Sequence, residues 1–340
     1  MAGANLEKVN FMRTTIITTF RLLCAVATLF VGIPLAWSAA DAWPTKPLRM
    51  IVPFPPGGAA DATARLVAES LRVEFGQPIV VDNRPGASGN IGTEHAAKAP
   101  SDGYTVLMAN SSIVTNISLY KKLSYDFVRD FSPVSRIAFV PNVLVVNPNH
   151  IKIDNLPAFI KFVKDHKGKP LNYGSGGSGT SLHLAGALFA SMLKADLVHV
   201  PYKGGAAAAT GLLGGEVQLV FSPLAEIVGH LDAGRMRPLG VTTSKRAGRL
   251  PDVPALNELL PGFDVALWTG ILVPTGTPER AVKRLNSTIV KALNAPELHK
   301  RLFEQGADAA GTSPAEFRKF IATEIEKWGR LVKISGAQVQ

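Results

Sequence analysis

The chain has 340 residues, a net charge of +10, 46% hydrophobic and 18% charged residues. That balance excludes a disordered polymer and leaves room for two domains. The positive surplus admits anionic partners, but its densest cluster, Lys161, Lys164, His166, Lys167 and Lys169, sits at one expected helix end and reads as a solvated face. Nucleic acid is therefore not expected.

The first forty residues differ in kind. Arg13 and Arg21 precede an apolar run from Leu22 to Leu35, and Ser38-Ala39-Ala40 supplies small residues for cleavage. Residues 1–42 read as a cleavable secretory leader, with Met12 a second candidate start. The run is short and broken by Gly32 and Pro34, which argues against a membrane anchor. Cys24, the single cysteine, leaves with the leader, so no disulfide, thiol nucleophile or thiolate metal site is expected afterwards.

Leu48 to Pro53 reads as a buried strand that empties into Phe54-Pro55-Pro56-Gly57-Gly58. The prolines stiffen this turn and the glycines let backbone N–H groups approach a ligand. Ala60, Ala64, Val67, Leu71 and Phe75 then recur at helical spacing. A rigid loop ending at a helix N-terminus favours an anion. The plain alternative is an ordinary strand-to-helix turn capped by Asp61.

Further along, 79–81 and 104–108 read as strands, 91–99 as a helix, and 113–135 as irregular. Residues 143–146 read as a strand and 156–166 as a helix. Strand 171–173 enters a glycine-rich loop, Gly174 to Gly179, which opens the helix Ser181 to Leu193. Strand 197–200 enters the turn Pro201-Tyr202-Lys203-Gly204-Gly205, followed by a short helix. Strand 217–221, helix 223–233, strand 237–241, a return strand 268–274 and three closing helices complete the chain. This alternation predicts an α/β fold with parallel sheets. In such sheets ligands bind beyond the carboxyl ends of strands.

Gly174-Ser175-Gly176-Gly177-Ser178-Gly179 has the form of a dinucleotide loop. The acidic residue that should end the next strand is missing: Tyr202 and Lys203 stand there, and Asp196 precedes the strand. A carboxylate-binding loop fits better, with hydroxyls from Ser175, Ser178, Thr180 and Ser181 beside the backbone donors. The nucleophile elbow fails at Thr180, and His183 reads as a packed or capping histidine. Metal-ligand spacings and a phosphate-binding P-loop are absent. No acid, base and nucleophile assemble, so an enzyme is not expected. A secreted dinucleotide-dependent enzyme is the competing class.

The motifs together resemble the Bug receptors, the substrate-binding proteins of tripartite tricarboxylate transporters. The likeness runs through Pro53 to Asp61 with Arg65, Asn83-Arg84-Pro85-Gly86-Ala87 with Asn90-Ile91-Gly92, and Asp130-Phe131-Ser132-Pro133. It continues through Tyr173 to Gly186, Pro201-Tyr202-Lys203-Gly204 and Pro274 to Pro278. The resemblance implies a type II periplasmic-binding-protein fold, two lobes closing on one small ligand. It places residues 43–146 and 265–340 in lobe 1 and 147–264 in lobe 2. It implies a periplasmic, monomeric carrier of a carboxylate (a di- or tricarboxylate, an acidic amino acid or an aromatic acid). The implied partners are membrane components of a transporter or a sensor kinase, with no cofactor or metal. Ligand contacts carried over by the likeness are Phe54, Gly57, Gly58 and Asp61 in the first loop, and Ser175, Gly177, Ser178 and Thr180 in the second. Asn110, Ser111, Tyr202 and Lys203 are further candidates. Ser88 and Ser222 depart from the residues common in the family, glycine and aspartate, and Ser222 at a strand end faces the expected cleft.

Overall fold

A computed structural model describes residues 43–337; the expected leader and its cleavage site lie outside the described residues. Residues 44–337 belong to one packed unit. β1 (Leu48–Val52) leads into α1 (Ala59–Phe75), and β2 (Ile79–Asn83) leads through one 3-10 turn (Ala87–Gly89) into α2 (Asn90–Ala97). β3 (Thr105–Asn110) is followed by α3 (Ser111–Leu119), the single turn α4 (Phe127–Asp130) and the long β4 (Phe131–Val146). Then come α5 (Leu156–Asp165), β5 (Leu171–Ser175), α6 (Ser181–Leu193), β6 (Leu197–Pro201), α7 (Gly205–Gly214), β7 (Leu219–Pro223), α8 (Leu224–Asp232) and β8 (Arg237–Val241). β9 (Ala266–Pro274), α9 (Glu279–Asn294), α10 (Pro296–Glu304), β10 (Asp308–Ala309) and α11 (Pro314–Ser335) end the chain.

The strands follow the order β2-β1-β3-β9-β4-β7-β5-β6, with β8 and β10 also on β4. β1, β2 and β3 are parallel to one another, as are β5, β6 and β7. β4 serves both groups. Its first part, from Phe131 to Pro141, pairs antiparallel with β9, and its last part, from Asn142 to Val146, pairs with β7 and β8. One strand thus passes from the first parallel group to the second, so the carboxyl ends of β1, β3, β5 and β7 come together where it crosses.

One expectation needs correction. The stretch read as irregular holds α3 and the first part of β4. α3 is built from Ser, Thr, Asn and β-branched residues of modest helix propensity. Its start is fixed instead by Asn110, whose side chain accepts from Ser112 N–H at 2.9 Å. β4 is masked in sequence by Pro133 and Pro141, and register shifts around Pro133 and Arg136 absorb the irregularity.

Trp268 is fully buried in the core. Its indole N–H and that of Trp328 both donate to Glu324 Oε2, at 2.8 and 2.6 Å. Lys327 pairs with the other oxygen of the same carboxylate at 2.7 Å. This buried acid is satisfied on both oxygens and clamps α11 to β9.

Candidate functional site

A cavity of about 580 Å³ opens where the strand ends meet. Its walls come from the β1–α1 loop, the loop before α2, the β5–α6 loop, the β6–α7 turn and the first turn of α8. Most of the lining is proline, glycine, alanine, Phe54, Leu182 and Leu267; the ionisable residues among it are Lys203 and Glu226. The size falls within the range of small-molecule sites.

Six of the sequence candidates line this cavity: Phe54, Gly58, Asn110, Gly177, Thr180 and Lys203. Gly57, Asp61, Ser111, Ser175, Ser178, Tyr202 and Ser222 do not. Most of these seven shape the wall from behind. Asp61 is not the cap of α1. Gly58 occupies that position, with no side-chain cap, and Asp61 sits a turn further in. It reaches back to Gly57 N–H at 2.9 Å and also accepts from Arg65 and Asn83. Burial pushes its carboxyl up, but the donors of Arg65, Gly57 and Asn83 together hold it below the ordinary range. Asp61 therefore braces the proline–glycine loop, with its donors already found. Gly57 takes φ of +80°, a conformation that favours glycine.

Ser175 is fully buried, accepts from Gly177 N–H at 3.1 Å and contacts His199 Nε2 at 2.6 Å. His199 stacks on His183 at 3.9 Å. His183 Nδ1 in turn accepts from Gly179 N–H at 3.1 Å. Burial drives His183 down to about 3, helped by the neighbouring His199, and burial alone takes His199 to about 4. These neutral rings hold the glycine-rich loop in shape. Tyr202 points away from the cavity and donates to Glu216 at 2.8 Å. Ser111 and Ser222 are buried with hydroxyls that have no partner among the described residues. Lys203 is exposed, and its Nζ makes no hydrogen bond or ion pair among the described residues.

The first turns of α1 and α7 both begin without a side-chain cap, at Gly58 and Gly204. Their leading N–H groups have no acceptor within their own helix. Between them stands Glu226, from the first turn of α8. Its Oε1 accepts from Ala59 N–H at 3.0 Å, and its Oε2 is enclosed with no partner among the described residues. A Cβ on Gly205 would overlap Oε2, so glycine there makes the room that the carboxyl occupies. Desolvation raises the Glu226 carboxyl to about 7, against the lowering effect of Ala59 N–H. Ser88 adds a second bridge over the cavity, donating to Ser178 O at 2.9 Å. It does so from a left-handed backbone, φ +53°, that a glycine would adopt more easily.

Sequence reasoning missed Glu226. The available signal was an acid three residues into a helix that follows a strand end, which is where ligands gather in open sheets.

A family model described as "Tripartite tricarboxylate transporter family receptor" matches residues 63–337. The protein BugT of Bordetella pertussis is 36% identical over 318 residues, covering 93% of this chain and 96% of its own length. The solved structure of Rpa4515 from R. palustris with adipate is 36% identical, with a TM-score of 0.83, and covers 87% of this chain and all of that one. MatC from Rhodopseudomonas palustris with bound malate is 30% identical, with a TM-score of 0.77, over 85% of this chain and all of that one. Such neighbours are two-lobed periplasmic binding proteins, the fold class that the motifs implied. The chain belongs to the tripartite tricarboxylate transporter receptor family, in which the Bug proteins also fall.

Proposed function

We propose that this chain is a periplasmic receptor that captures a small carboxylate in the cavity and delivers it to the membrane components of a tripartite transporter. The observation that carries this reading is the Glu226 carboxyl lodged between the first turns of α1 and α7. The Glu226 carboxyl accepts from Ala59 N–H at the start of α1, which supports a carboxyl-sized seat at the positive end of a helix. Relatives support the class of ligand, since one is solved with adipate and another with malate. Lys203 supplies the free positive charge at the cavity. Residues 43–146 with 265–340 form one lobe in this reading and 147–264 the other, with β4 as a shared hinge. Export follows from the leader at 1–42. No helix among the described residues is long and apolar enough to cross a membrane.

Bonds from N–H or hydroxyl donors to a carboxylate contribute roughly 1.5–3 kcal/mol each. Five would give a gross sum on the order of 10 kcal/mol; micromolar affinity needs about 8 kcal/mol net of association costs, so burial of the ligand's apolar part against Phe54 and the proline-rich wall supplies the remainder. A thermal-shift screen of mono-, di- and tricarboxylates at millimolar concentration tests the proposal. At least one acid should raise the melting temperature, because a ligand that binds only the folded state stabilises it. A panel with no shift, confirmed by calorimetry, would reject it.

A further inference from the structure

We infer that Glu226 is a resident competitor for the ligand carboxylate: it occupies the anion position between α1 and α7, and an incoming acid binds there by displacing it. This rests on the carboxylate-receptor reading and deepens it, naming the residue that sets affinity. Three observations point the same way. The first is position. Oε1 takes the Ala59 N–H that an uncapped helix start offers to any anion, and Oε2 fills the space left by the missing side chain of Gly205 at the start of α7.

The second is imperfect satisfaction. Oε2 has no hydrogen bond among the described residues although it is enclosed. A buried carboxylate oxygen without a partner is costly, so the resident group is a poor occupant that a better-placed carboxylate can replace. Burial also lifts its pKa to about 7, so withdrawal of this group from its seat relieves a real desolvation cost.

The third is freedom to leave. Glu226 is only partly buried as a residue, and its side chain lines the cavity. In this account withdrawal is a rotation of the Glu226 side chain about its own torsions. When Glu226 is ionised the two carboxylates cannot share the enclosure, since like charges repel strongly away from water. Ligand entry and Glu226 withdrawal are therefore one exchange.

The test measures, by titration calorimetry, the affinity of adipate, malate and benzoate, with adipamide as neutral control, for wild type, Glu226→Gln and Glu226→Ala. Gln keeps the size of Glu and can keep the bond to Ala59, so this variant guards against a folding defect. Both variants should bind at least one acid more tightly than wild type: Glu226→Ala by about tenfold, which corresponds to the loss of one charged competitor bond, and Glu226→Gln by less, because its neutral amide keeps a weaker bond to Ala59 N–H. Adipamide binding should not tighten. Acid affinity equal to or weaker than wild type in both variants overturns the inference and leaves the receptor reading standing. Equal tightening toward adipamide also overturns it, because Glu226 would then merely fill space. No binding of any acid to any of the three proteins overturns the inference together with the receptor reading.

Discussion

Glu226→Gln should stabilise the free protein at alkaline pH and leave it nearly unchanged in mild acid. The carboxyl has an ordinary value of 4.5 and is pushed up to about 7 in the fold, chiefly by desolvation. Between those values the native state holds a proton that the unfolded chain has released. The stability that Glu226 contributes is thus fully present below about pH 4.5 and is lost as pH rises through 7. At 1.36 kcal/mol per pH unit, the gap of about 2.5 units amounts to roughly 3 kcal/mol at pH 8. For a chain of this size that is a shift of about 6 °C in melting temperature. Gln has no charge to desolvate and can accept from Ala59 N–H as Glu does. Scanning calorimetry of wild type and variant at pH 5 and pH 8, without ligand, gives the answer. The difference should be small at pH 5, about 1–2 °C, and several degrees in favour of Gln at pH 8. Parallel pH curves for the two proteins would refute the enclosure of Oε2 as the source of strain.

The other expected outcomes concern the cavity wall and the core. Gly58 has φ of −76°, which valine tolerates, and an added Cβ would make ordinary contact with Glu226 and Pro55; Gly58→Val should lower carboxylate affinity at least about tenfold by filling the mouth, with no more than about 1 kcal/mol of stability lost at the helix cap. Calorimetry showing wild-type affinity would remove Gly58 from the site. His183 is neutral with a value near 3 against an ordinary 6.5, so it binds its proton first in the unfolded state, and its contribution is lost as pH falls from about 6.5 toward 3. At pH 5 this amounts to about 2 kcal/mol, and His183→Asn, which keeps an acceptor for Gly179, should flatten the acid limb of the stability curve measured by urea denaturation. An unaltered limb would show that His183 is charged in the fold. Glu324→Leu leaves the buried indole N–H groups of Trp268 and Trp328 without acceptors and should cost about 2–5 kcal/mol in the same assay; a loss below about 1 kcal/mol would mean that both find other partners.

The parallel strand–helix units were legible because their signals are local. The apolar periodicity after Gly58 and the span Ser181 to Leu193 appear in the structure almost to the residue. The end of β4, 143–146, was legible, but its first part was not, because the prolines and polar residues there are tolerated only through bulges and pairing with β9, which are tertiary facts. At the site, the glycine-rich loops announced themselves through backbone chemistry. The roles of Asp61 and Ser175 did not, since whether a polar side chain faces the cavity or braces the loop behind it depends on partners such as Asn83 and His199, distant in sequence. Glu226 escaped for the same reason: its partner Ala59 is 167 residues away.

The central claim is that the cavity recognises negative charge with backbone donors at two helix starts and Lys203. Paired titrations of each acid and its matching amide, at low and high salt, address it directly. The acid should bind at micromolar concentration or tighter, the amide at least about thirtyfold more weakly, and the gap should narrow as salt rises. Acid and amide binding with the same affinity at both salt concentrations would contradict the claim.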